Sequence, residues 1–114
     1  ERYDEAIVQL RRATELAPGN ADAFYNLGAA FQNRAAALNE QYIADPEADG
    51  ADALIEQRNE NLEMSVAPLM QARTLSAGTE DEAGVCDALF RVYTQLNRVD
   101  EAQAVSECAG ISMN

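Results

Sequence analysis

Residues 3–31 read YDEAIVQLRRATELAPGNADAFYNLGAAF, and this stretch decides the fold. Tyr3, Ala6, Leu10 and Ala13 recur at steps of three and four, with Leu16 closing the run, which is the spacing of one helix face. Asp4 and Glu5 suit the positive end of that helix and Arg11 and Arg12 its negative end. Pro18-Gly19-Asn20 then interrupts the pattern, with Asn20 placed to cap the next helix from its first residue, Ala21. Phe24, Leu27, Gly28 and Phe31 begin a second helical stripe, in which the bare Gly28 permits close approach of a partner helix.

Downstream, the second stripe continues through Ala35, Leu38 and Tyr42 to a break at Asp45-Pro46, with Gly50 just after. A third helix is expected over roughly 51–75, with Ile55 and Leu62 in its early stripe and Ser65, Leu69, Ala72 and Leu75 in its late one. Pro68 lies inside it and should kink it. Two further helices are expected over 80–96 and 98–109, with Gly110 as a C-terminal cap and 111–114 as a loose tail.

The second and third helices can be set in register by their glycine and serine. If Gly28 faces Ser65 in an antiparallel pair, Phe24 meets Leu69, Phe31 meets Leu62 and Leu38 meets Ile55, and the tip falls at Pro46. Each pairing is apolar on apolar. The weak point is Ala35 opposite Arg58.

These stripes resemble the tetratricopeptide repeat, a helix pair recurring about every 34 residues. In that likeness, residues 1–20 are a half repeat whose first helix is cut away, 21–78 an expanded repeat, and 80–110 a further repeat. Cys86, Leu89, Phe90 and Tyr93, then Val99, Ala102, Ser106 and Ala109, occupy the packing positions of the last. Phe90 is a misfit where the family holds a small residue. The segment between Gly28 and Ser65 is longer than the family pattern by roughly 25 residues, so residues of about 35–62 should form a projecting hairpin arm, each helix extended by about 15 Å. Such arms look similar to the C-terminal regions of bacterial repeat proteins. The fold expected is therefore all-α: a right-handed stack of antiparallel helix pairs, about five helices, with one pair elongated.

Composition agrees and narrows the function. The 114 residues are 47% hydrophobic but only 6% aromatic, as close-packed alanine-rich helices require. Net charge is −12, from 20 acids against 8 basic residues, all of them Arg. No basic patch exists for nucleic acid, and an anionic membrane would repel the surface. The acidity fits either adaptation to high salt or a base composition favouring Arg over Lys. With no His, a Ser or Cys nucleophile lacks its commonest activating base, so no catalytic residue and no cofactor are assigned, and the chain reads as a non-enzyme. The chain opens inside a repeat and reads as a fragment, which leaves localisation unknown.

The resemblance implies a concave groove that takes a peptide or protein surface. The residues that would line it are Asp22, Tyr25, Asn26, Ala29, Gln32 and Asn33 on the second helix, and Gly84, Asp87, Ala88, Arg91, Thr94 and Gln95 on the fourth. Amides suit an extended backbone because they donate and accept. The alternative is a structural role, self-association through the open face of the first helix or through the acidic arm. Residues 40–63 carry eight acids and only Arg58. Within them Asp45, Glu47, Asp49 and Glu56 approach the spacing of a calcium loop, a weak cation candidate beside the plainer reading of an acidic hairpin tip. Cys86 and Cys108 fall where the last two helices come near each other. Buried free thiols are the expectation, with a disulfide as the alternative in an oxidising compartment.

Overall fold

The computed structural model describes residues 2–112. Among them are five helices: α1 (Arg2–Leu16), α2 (Ala21–Ala44), α3 (Ala51–Leu75), α4 (Glu82–Gln95) and α5 (Val99–Ala109), with no strand. The all-helical expectation holds, and helix boundaries fall within two residues of those read from the stripes.

The breaks form for the reasons their residues suggest. Asn20 has extended backbone, and its Oδ1 accepts from the Asp22 and Ala23 amides at 2.9 and 3.3 Å, which fixes the start of α2. Gly50 enters α3 at φ 87°, a left-handed conformation that glycine adopts without strain. At the end of α5, Gly110 is again left-handed, and the amide of Ile111 closes back on the Ser106 carbonyl at 2.9 Å. α3 runs through Pro68 with helix on both sides.

The chain folds into a slab 47 × 40 × 16 Å, too thin to surround one central core. Its interior is accordingly in two parts. The larger joins Ala35, Leu62, Leu69 and Ala72 to Val85, Leu89, Val92 and Tyr93 of α4 and to Ala102 and Val105 of α5. The smaller joins Ile7 of α1 to Leu27, Ala30 and Phe31 of α2, with Leu10 against it. α2 and α3 share the most extensive interface, while α1 touches α2 alone.

The register is anchored at Gly28. A Cβ there would stand 2.6 Å from Leu69 Cγ and 3.4 Å from the Ser65 carbonyl, so the helices touch where a small residue was expected. Phe24 packs against the core that holds Leu69, as the register requires. Phe31 departs from it. Instead of meeting Leu62, its ring joins the α1 side of the slab and lies beneath the Arg11 guanidinium, 5.5 Å from the ring centre. The α1 face also turns relative to its stripe: Ile7 and Thr14 are the buried residues, whereas Tyr3 and Ala6 are exposed and Leu16 is 78% exposed. With one neighbour, α1 buries only the side that meets α2.

The cysteines are a correction. Cys86 and Cys108 are not free thiols but a disulfide, with Cα atoms 5.8 Å apart, joining α4 to α5. The antiparallel pairing brings a core position of α4 opposite the last turn of α5, which meets the geometric requirement of the bond. Nearby, Tyr93 donates to Met70 Sδ at 3.6 Å. Burial, with Glu101 second, pushes its phenol above the ordinary value against the pull of Arg98 and Arg73.

Three outcomes follow, the first two read by urea titration. Gly28→Ala drives a methyl into the fully buried Leu69 and should cost about 1–3 kcal/mol from overpacking, offset by up to about 1 kcal/mol of helix propensity. Gly84→Ala meets nothing within 4 Å and should be neutral or stabilising in the same urea titration. Reducing the disulfide, which closes a separation of 22 residues, should lower stability by about 3 kcal/mol, measured as a fall in Tm with and without a dithiol.

Candidate functional site

The expected groove lies between α2 and α4. The two helices are tied by Gln32, whose Nε2 donates to the Ala88 carbonyl at 3.2 Å. Ala88 is buried at this junction, so the two helices close on each other at mid-groove. A recess opens at each end. One, of ≈ 310 Å³, lies at the helix starts and is lined by Asp22, Tyr25, Glu80, Asp81, Gly84 and Val85. The other, of ≈ 350 Å³, lies where α4 ends and the α2–α3 pair continues, and is lined by Gln32, Ala35, Ala36, Asn39, Glu40, Arg58 and Gln95.

The ends differ in character. The first is anionic, with the half-exposed ring of Tyr25 beside three carboxylates. The second is amide-lined and holds a fixed guanidinium. Arg58 Nη1 donates to Asn39 Oδ1 at 2.8 Å, and its Nε and Nη2 both donate to Asn59 Oδ1, at 3.2 and 3.0 Å.

The expected lining residues divide accordingly. Asp22, Tyr25 and Gly84 meet at the first recess, and Gln32 and Gln95 at the second. Asp87 and Arg91 are committed to each other at 3.0 Å along α4, an exposed pair of small energetic worth. Ala29 is half-buried; Asn26, Asn33 and Thr94 are exposed and line neither recess. Glu80, Asp81, Asn39, Glu40 and Arg58 were not anticipated. The first two lie in the connection before α4, and the others in the arm. A signal existed for Arg58, since the register set a long cation opposite Ala35. The structure resolves that mismatch by carrying the guanidinium past the buried Ala35 to Asn39.

The cation candidate does not assemble. Asp45, Glu47 and Asp49 lie in the exposed turn and Glu56 within α3, and among the described residues they form no group with ligand atoms within 4.8 Å of one another. Glu82, Cys86 and Cys108 do come that close, but both sulfurs are spent in the disulfide. Among the described residues no helix is long and apolar enough to cross a membrane.

Residues 1–34, which are α1, the capped turn and the first half of α2, match the family model of the TPR repeat. That match covers under a third of the chain and assigns this stretch, residues 1–34, to the tetratricopeptide repeat. No curated protein matches it, and no solved structure does. TPR repeats serve protein–protein interaction, and the family is in general a non-enzymatic scaffold.

Proposed function

We propose that this TPR chain is an interaction scaffold that takes an extended segment of a partner protein along the α2–α4 groove. The observation that carries the reading is the Gln32–Ala88 hydrogen bond, which fixes the two helices side by side with a recess at either end. From Asp22 to Asn39 along α2 the helical rise amounts to roughly 25 Å, which about seven or eight extended residues span. Tyr25 at one end supplies a partly exposed ring, the kind of rigid contact area that anchors interfaces. Gln32 and Gln95 at the other supply amides for backbone recognition.

The second reading is self-association through α1, favoured by Val8 at 66% and Leu16 at 78% exposure on a helix with one neighbour. One experiment separates the two. The chain and its Tyr25→Ala/Arg91→Glu variant, both side chains exposed and outside the core, are used as baits in source-cell lysate. The groove reading expects a protein retained by the parent and lost at least about tenfold by the variant, with unchanged circular dichroism. Equal retention by both baits contradicts it and turns attention to α1.

A further inference from the structure

We infer that, once the Cys86–Cys108 bond is reduced, Cys86, Cys108 and Glu82 form a binding site for Zn²⁺ between the start of α4 and the end of α5. The site shares no residue with either recess of the groove and does not depend on the groove reading.

The ligands converge from two helices. Glu82 and Cys86 are one turn apart on α4, a spacing that puts both on one face. Cys108 comes from the last turn of α5, and its Sγ lies 3.8 Å from the Glu82 carbonyl oxygen. A carboxylate oxygen of Glu82 and the two sulfurs all lie within 4.8 Å of one another, the only such group among the described residues. The carboxylate is already oriented. Glu82 Oε1 accepts from the Gly78 amide at 3.1 Å, the kind of outer support that fixes metal-binding carboxylates, and this leaves Oε2 for an ion.

Two thiolates and a carboxylate suit Zn²⁺ rather than Ca²⁺ or Mg²⁺, which take oxygen ligands. With bonds of about 2.3 Å to sulfur, a tetrahedral ion holds two thiolates about 3.8 Å apart. Cα atoms 5.8 Å apart lie within reach of that linkage by side-chain torsion. Three protein ligands leave the fourth position open to water. Glu82 and Cys108 line a recess of ≈ 410 Å³, which supplies both the water and an entry path. Three anionic ligands around Zn²⁺ leave one negative charge, and Arg73 on the same recess wall offsets it.

In the oxidised chain the sulfurs hold each other and the site is closed. A dithiol reductant opens it by exchange. One reductant thiolate attacks the half-buried Cys108 Sγ, and the buried Cys86 leaves as a thiolate. The second reductant thiolate then displaces Cys108. The reductant departs as a disulfide, having given two electrons, and its two protons pass to the cysteines. Zn²⁺ displaces those protons when it binds.

The test is titration of the full chain with Co²⁺ and then Zn²⁺, in the oxidised form and after reduction with dithiothreitol and its removal without oxygen. The reduced chain should show a saturable thiolate-to-cobalt charge-transfer band and the visible bands of tetrahedral Co²⁺. Zn²⁺ should bleach both, with release of about two protons per chain relative to the metal-free dithiol. The oxidised chain should show neither band. Zn²⁺ should also raise the Tm of the reduced chain. Cys86→Ser and Cys108→Ser should each weaken binding at least about a hundredfold, and Glu82→Gln about tenfold.

No saturable band in the reduced chain, the same band in the oxidised chain, or binding unchanged by Glu82→Gln overturns the inference. The last result would mean that two free cysteines take the ion without the folded site. A reduced chain that loses its helical circular dichroism and does not regain it with Zn²⁺ overturns it as well.

Discussion

The close approach of α2 and α3 at Gly28 is the constraint on which the rest of the structure depends. With no side chain at that point, Leu69 and the Ser65 backbone move into the space a methyl would take. The contact sets the register of two helices of 24 and 25 residues, far longer than α1 or α4 beside them. That difference in length creates the features of functional interest. Where α4 stops at Gln95, the α2–α3 pair continues, and the step between them is the recess holding Arg58. On the other flank, α1 begins at the level of Arg34, where Asp4 pairs with it at 2.7 Å.

Charge is distributed unevenly along the groove. Three carboxylates and Tyr25 mark the end near the helix starts, and Arg58 with its amides marks the arm end. The first recess is thus anionic, while at the second Arg58 and Glu40 offset each other, so the two differ in charge. The α4 wall is supported from behind by the Cys86–Cys108 bond to α5. In a slab only 16 Å thick there is little interior to hold the α4–α5 pair, and a covalent link adds to it.

Much of this was legible in the residues, and the failures have physical causes. Pro18-Gly19-Asn20, Asp45-Pro46 and Gly110 marked helix ends correctly because capping and proline geometry act locally. Gly28 opposite Ser65 was legible because small residues at helical spacing report close contact. Phe31 was misplaced because residue spacing gives a face but not the direction a ring takes between two neighbours. The α1 stripe was misjudged for a related reason: which part of an apolar face is buried depends on what covers it, and only α2 does. The disulfide could not be read from two cysteines, since the same positions suit buried thiols. Arg58 was visible as a mismatch with Ala35, but its anchoring by Asn39 and Asn59 is a three-dimensional fact.

Native-state hydrogen exchange of the oxidised chain tests the central claim most directly. If the α2–α3 contact is the support of the fold, amides around Leu27–Phe31 and Leu62–Leu69 exchange slowest, with the opening free energy of global unfolding. Those of α1, packed on one neighbour, exchange by a separate opening of lower free energy. Protection in α1 equal to that around Gly28, or earlier exchange of the Gly28 region than of α1, would contradict the account.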